Sequence, residues 1–380
     1  MSPTPVTFVA PAAASAYAWE ATDEEVSARY GVPLEQIARF DLNTSPTPPE
    51  VAERRLARGA FETSLSEYPP ADYRTLAEAA AGRYGVDARE ILVGAGADEV
   101  LDIAAKAFLP AGGIAIIPSP SYAMYRVLSE QRAAIVEAVP RLGAEDGYAI
   151  DLEATLVAAR GASLVWLCSP NNPTALAEPD GAIRTLLEGL AADAAARSLP
   201  RPAVVLDEAY AEFAGQSLVE LRRDYARLVI VRTLSKAYAL AGLRVGFAIA
   251  DPAMIAEMAP YRPPGSVSVV SVSVARAALE DDSALDPNLE RVVSERARLA
   301  VALTRAGWSI RPSVTNFLLA SFGSPDRAAE VAEAMIRRGL VPRTFGPSHP
   351  LADHLRLTIR DRTQNDRLIA AALDFESGRA

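Results

Sequence analysis

Of the 38 basic residues in this 380-residue chain, two are lysines, Lys106 and Lys236, and the rest are arginines. The distinction matters chemically. A lysine can lose its proton and attack a carbonyl as a neutral amine to form a Schiff base, whereas an arginine stays charged at any usable pH. Lys236 stands in Thr233-Leu-Ser-Lys-Ala-Tyr-Ala-Leu-Ala-Gly-Leu-Arg244. The hydroxyls and the guanidinium of that stretch suit phosphate oxygens. Lys106 falls in an amphipathic helical pattern and reads as a surface residue.

Three other clusters could work with such an amine. Asp207-Glu-Ala-Tyr210 directly follows an apolar run. Asp207 is therefore sheltered and able to hold a proton on a ring nitrogen, as an acid does opposite the pyridinium of pyridoxal phosphate. Ser169-Pro-Asn-Asn-Pro-Thr174 fixes two amides between prolines, and an Asn amide can donate to a phenolate-like oxygen. Gly94-Ala-Gly-Ala-Asp98 has the small residues that let backbone N–H groups approach an anion at a helix N-terminus, though not the G-x-G-x-x-G spacing of a dinucleotide site. Taken singly, these are a helix N-cap, a proline turn and a tight turn. In this order on consecutive strand–helix units they describe one site.

The elements that must position them are legible as apolar runs at 91–94, 114–117, 163–168, 203–206, 228–232 and 245–249, with helical patterns between, such as 98–108 and 180–198. This alternation predicts an α/β fold, a mostly parallel sheet covered by helices, with ligands beyond the carboxyl ends of the strands. Tyr261-Arg-Pro-Pro-Gly265 breaks the pattern. Beyond it, helical signals extend through 280 and recur at 287–306, 326–338 and 363–372, with strand signals at 316–320 and 354–359: a smaller α+β unit. The first 45 residues have no clear place in the sheet.

Composition narrows the function. Half the residues are apolar and the formal net charge is -10, with no basic block, so nucleic acid is not an expected partner. One cysteine, Cys168, excludes an intrachain disulfide framework. No run of about 18 apolar residues predicts a membrane span. The N-terminal ten residues contain prolines and no Lys or Arg, unlike a signal peptide, and a cytoplasmic setting is expected. His349 and His354 lack the ligand spacing of a metal centre, and no metal is expected.

The segments Tyr68-Pro-Pro-Ala-Asp-Tyr-Arg, Val93-Gly-Ala-Gly-Ala-Asp-Glu, Pro118-Ser-Pro-Ser-Tyr-Ala-Met-Tyr125, Ser169-Pro-Asn-Asn-Pro-Thr, Asp207-Glu-Ala-Tyr, Arg232-Thr-Leu-Ser-Lys through Phe247 and Leu355-Arg-Leu-Thr together resemble the fold type I pyridoxal 5′-phosphate-dependent aminotransferases of class I/II, and among them the histidinol-phosphate aminotransferases. The likeness extends from about Tyr17 to Leu373. It implies a large domain at 46–262 with a mostly parallel seven-stranded sheet between helices, a small α+β domain at 263–380, and residues 1–45 as an N-terminal arm and part of the small domain. It implies that Lys236 forms the Schiff base and shuttles a proton, that Asp207 pairs with the pyridine nitrogen, and that Asn172 and Tyr210 hydrogen-bond the ring's phenolic oxygen. Tyr122 is implied to stack on the ring. Ala97, Asp98, Thr233, Ser235 and Arg244 form the phosphate cup, with Tyr68 reaching it from the other subunit of a homodimer. Arg356, helped by Arg343, clamps the substrate's acidic group, with Tyr17 beside it. The reaction implied is ping-pong transfer from a small-molecule amino donor, histidinol phosphate, to a 2-oxo acid acceptor, 2-oxoglutarate, in histidine biosynthesis.

The chain departs from the usual pattern of that group at Asn43-Thr-Ser-Pro46, at Ala175, at Arg360 and at Tyr17-Ala-Trp-Glu20. None of these is in the cofactor machinery. An aromatic amino acid aminotransferase and a phosphothreonine-type decarboxylase are alternatives on the same fold; a non-catalytic cofactor-binding regulatory module ranks last. Arg360, Arg362 and Arg367 read as a solvated face, the Asn316-Phe317 pair as packing, and Tyr125 is left without a role.

Overall fold

The computed structural model describes residues 16–59 and 61–378. The N-terminal ten residues read above thus lie outside the described residues. In chain order the strands are β1 (Ala38–Arg39), β2 (Ile91–Gly94), β3 (Ile114–Ser119), β4 (Ile135–Pro140), β5 (Leu164–Cys168), β6 (Ala203–Asp207), β7 (Leu228–Thr233), β8 (Gly246–Ala250), β9 (Ser309–Ile310), β10 (Phe317–Ser321), β11 (Leu340–Val341) and β12 (His354–Thr358).

Seven of them form one sheet in the order β2-β8-β7-β6-β5-β3-β4. It is parallel except for β8, which runs antiparallel to both β2 and β7. The central strands are buried along their whole length, which is why they read as continuous apolar runs rather than alternating ones. Because side chains alternate across a strand, the two faces feed two cores. Val204, Leu206, Ile230 and Phe247 join a core with Leu76, Leu186 and Leu190. Val205, Val229, Val231 and Ala248 join a second with Leu101, Ile103, Leu128 and Met254. The six sequence-read strands are present within two residues of expectation; β4, an edge strand with only Val139 buried, was not anticipated because it offers no apolar run.

The helices of the C-terminal part are Asp286–Arg305, Pro325–Ile336 and Arg362–Glu376. They accompany an antiparallel sheet of order β12-β10-β9. Ser324 and Asp361 cap the last two helices by accepting from the N–H groups of Arg327 and Gln364. Helix Val269–Glu280 lies just after the expected boundary at 262–263 yet packs on helices Glu50–Arg58 and Arg74–Tyr84. The N-terminal stretch stays out of the main sheet: β1 pairs in parallel with β11, and the Phe40 carbonyl accepts from Thr358 N–H. That pairing delivers residues 41–45 to the edge where the parallel strands end.

Candidate active site

Asp207 ends β6, Thr233 ends β7 and Cys168 ends β5, so three neighbouring parallel strands release polar groups at one edge. They open onto a cavity of about 650 Å³. Of the residues singled out from sequence, Ala97, Asp98, Tyr122, Asn172, Asp207, Tyr210, Thr233, Ser235, Lys236, Arg244, Arg356 and Tyr17 all line it. Arg343 lines an adjoining groove. Tyr68 lies outside both and is 89% exposed.

One end of the cavity is shaped for an anion. Helix Gly96–Phe108 starts there, with Gly96 at φ +84°. A Cβ on Gly96 would sit 2.5 Å from Arg244 Nη2, and one on Gly246 of β8 would sit 2.5 Å from the Gly96 carbonyl carbon and 2.6 Å from Ala97 N. Glycine at both positions therefore lets the loop lie flat on β8 with the guanidinium against it. Free N–H groups at a helix start, hydroxyls and a guanidinium are the donor set for a phosphate. Thr233 Oγ1 and Ser235 Oγ are 3.0 Å apart, and Asp98 accepts from Tyr122 Oη at 3.0 Å while pairing with Arg244 at 3.2 Å.

The middle of the cavity holds the ionisable groups. Asp207 is buried; Tyr125 Oη donates to its Oδ2 at 2.8 Å and Ala209 N to its Oδ1 at 2.9 Å. Burial pushes its carboxyl up to about 6, against the opposing pull of the Tyr125 hydrogen bond. Lys236 Nζ donates to the Leu42 carbonyl at 3.3 Å and lies 5.8 Å from the Tyr210 ring centre. Burial first, and the Arg356 charge second, bring its amine down to about 8. Asn43 Nδ2 donates to Tyr210 Oη at 3.0 Å, and Asn43 is fixed in turn by Thr358 and by Asn316, whose amide donates to the Asn43 carbonyl. Asn316, read as packing, is thus also a hydrogen-bonding support; Phe317 does pack, edge-on to Tyr210. Tyr125 and Asn43 are the site residues that sequence reasoning missed. Tyr125 lies in the helix Met124–Gln131, which starts beyond Tyr122, and its ring meets that of Tyr122 edge-on.

A ring of hydrogen bonds ties the lysine loop to the C-terminal part. Asn288 Nδ2 donates to the Ala237 carbonyl at 2.6 Å and to Ser45 Oγ at 3.0 Å, and Ser45 Oγ donates to the Lys236 carbonyl at 3.3 Å. Arg291 donates to Asn288 Oδ1 and to the Arg360 carbonyl. Arg360 itself donates to the carbonyl and hydroxyl of Thr44. Arg360 is therefore no solvated residue, because it fills the space against Thr44. Arg367 donates to the Arg338 carbonyl and is likewise engaged; Arg362 alone of the three stands exposed.

On the open side, Arg356 donates through Nη1 to Asn172 Oδ1 at 2.6 Å and through Nη2 to the Asp41 carbonyl, while its buried Nε has no partner. Arg343 and Arg356 exchange backbone hydrogen bonds, which sets their side chains next to one groove. His349 stacks on Phe345, and buried His354 bonds Asp353. Among the described residues no group of three or more His, Cys, Asp or Glu is placed to hold a metal, and no helix is long and apolar enough to cross a membrane.

The donor set fits pyridoxal 5′-phosphate. An anion cradle walled by two glycines, a buried carboxylate suited to a cationic ring nitrogen, two amide or phenol donors and an amine face one cavity.

The family model for aminotransferase class I and II matches residues 38–371. A histidinol-phosphate aminotransferase of Symbiobacterium thermophilum is 36% identical over 354 residues, covering 92% of each chain. One from Roseiflexus castenholzii is 34% identical, covering 91% of each. Among solved structures, the Sinorhizobium meliloti histidinol-phosphate aminotransferase in complex with pyridoxal-5′-phosphate superposes with a TM-score of 0.83 at 25% identity, covering 95% of this chain and 96% of that one. An L-threonine-O-3-phosphate decarboxylase from Porphyromonas gingivalis shares the fold, with a TM-score of 0.74 at 24% identity, covering 90% of this chain and 100% of that one.

Proposed function

This chain belongs to the class I and II aminotransferases, pyridoxal 5′-phosphate-dependent enzymes, and from that premise we propose that it carries the amino group of histidinol phosphate to 2-oxoglutarate in histidine biosynthesis. When bound, the cofactor supplies a carbonyl that carries the amino group and a protonated ring that draws off electrons as the donor's α-proton leaves. The rest falls to the chain's own residues. The helix start at Ala97 and Asp98, with Thr233, Ser235 and Arg244, holds the phosphate. Asp207, kept in place by Tyr125, faces the ring nitrogen as a carboxylate. Asn172 and Tyr210 donate to the phenolic oxygen, and Tyr122 covers the ring. Lys236 anchors the cofactor and, once free, takes the α-proton on Nζ. An amine brought down to about 8 is partly neutral at physiological pH, as that proton transfer requires.

Arg356, with Arg343, takes the donor's distal anion, and Tyr17 lies beside them. Closure of the C-terminal part over the large sheet, with residues 16–45 between, excludes water from the reaction. The exposed Tyr68 serves the phosphate cup of a second copy, in a homodimer located in the cytoplasm.

The observation that carries this reading is the convergence of Lys236, Asp207 and the glycine-walled anion cradle on one cavity. Its test is an absorbance spectrum of the cofactor-loaded protein before and after adding L-histidinol phosphate without keto acid. Conversion to the amine form of the cofactor supports the donor; an unchanged spectrum removes histidinol phosphate and leaves the family chemistry standing. An aromatic amino acid is the second donor to try, favoured by the Tyr17, Trp19 and Phe345 rings along the groove.

A further inference from the structure

The groove beside the cofactor cavity has a volume of about 390 Å³ and shares Tyr17, Trp19, Tyr122, Asn172 and Arg356 with it. Its cationic wall is the Arg343–Arg356 pair. The chain itself already answers one of those charges. Glu20 lines the same groove, and its Oε1 lies 3.6 Å from Arg343 Nη1. The same carboxylate accepts from Thr344 N at 2.8 Å and from Thr344 Oγ1 at 2.9 Å. Arg343 Nη1 also donates to the Ala18 carbonyl at 2.5 Å. The Glu20 and Arg343 side chains are only 12% and 15% exposed, so the pair is shielded more than a surface ion pair. It fastens residues 17–20 across the groove, and the Arg343 guanidinium lies 5.2 Å from the Tyr17 ring centre.

We propose that Glu20 is a specificity-determining residue: it competes with the distal anion of the amino donor for Arg343, and so sets how much negative charge on the donor the groove rewards. With Glu20 ionised, the two arginines present a net charge of about one rather than two. A donor ending in a doubly charged phosphate gains less from such a groove than from two free arginines. A neutral donor is indifferent to the exchange. The proposal rests on the reading of Arg343 and Arg356 as the anion clamp.

The test uses the cofactor-loaded holoenzyme and two donors that differ only in the phosphate, L-histidinol phosphate and L-histidinol, together with inorganic phosphate as a competing anion. Glu20→Gln keeps an oxygen to accept from Thr344 but removes the charge. Its KM for L-histidinol phosphate should fall about tenfold and inorganic phosphate should inhibit more strongly by a similar factor, while KM for L-histidinol stays put. Thr344→Val loosens the tether without altering charge and should shift both donors alike. An equal shift of both donors in Glu20→Gln, or a rise in KM for the phosphorylated one, overturns the proposal. If the wild-type enzyme does not convert L-histidinol phosphate, the donor assignment fails instead. Inorganic phosphate then still decides the role of Glu20, through its inhibition of whatever donor is used: tighter in Glu20→Gln supports the competition, unchanged removes it.

Discussion

Burial raises the Asp207 carboxyl from 3.8 to about 6, so this residue should cost the cofactor-free protein stability wherever it is ionised. The sign follows from proton counting: between those two values the folded chain binds more protons than the unfolded one, and stability declines as pH climbs through that window. Asp207→Asn should therefore melt later than wild type at pH 8 without cofactor, by about 1–3 kcal/mol, with the advantage gone near pH 4, while retention of the cofactor collapses. Calorimetry at the two pH values checks this; equal melting at both would mean the buried carboxylate is better solvated than its surroundings suggest. Lys236 shifts the other way. Its amine, lowered to about 8, must be neutral to attack a carbonyl, so capture of pyridoxal 5′-phosphate by the apoprotein should speed up with pH around a midpoint near 8 and be absent in Lys236→Arg. Both side chains could be found in the sequence because each follows an apolar strand in a telling cluster. Their supports could not. Leu42 acts on Lys236 through a backbone carbonyl, which any residue supplies, and Asn43 reaches Tyr210 across 167 positions.

At the level of elements, the phosphate cradle depends on how closely the Gly96 turn lies on β8. In Gly246→Ala the new methyl would meet backbone atoms that have no flexible end to yield. Overpacking of this kind costs about 1–3 kcal/mol, and cofactor retention should weaken by roughly tenfold or more. Thermal melting and dialysis of the holoenzyme report the two effects. The lysine loop depends on helix Asp286–Arg305 through Asn288, whose amide donates to Ala237 and Ser45. Asn288→Asp is isosteric but cannot donate, so kcat should fall roughly tenfold with little change in KM, the mark of a misplaced proton carrier rather than a lost binding contact. Helix and strand positions followed from hydrophobic spacing, but the Arg360–Thr44 contact did not, because a run of arginines looks solvated until the opposing surface is known.

For the whole molecule, a parallel sheet with a polar edge was legible because both of its faces are covered, which forces continuous apolar strands. Tyr68 and Leu65 stand exposed on the surface. Sedimentation should show a dimer, and Tyr68→Phe should release cofactor about tenfold faster without altering assembly; a monomer indifferent to that change would remove Tyr68 from the site. The cavity is also closed by distant parts of the chain. Residues 38–45 lie on β11, Thr358 and Tyr210, while Glu20 reaches Thr344. Asn43 therefore cannot complete its bond to Thr358 until some three hundred later residues have been made. A growing chain cannot present a finished catalytic centre before β11 and β12 are made.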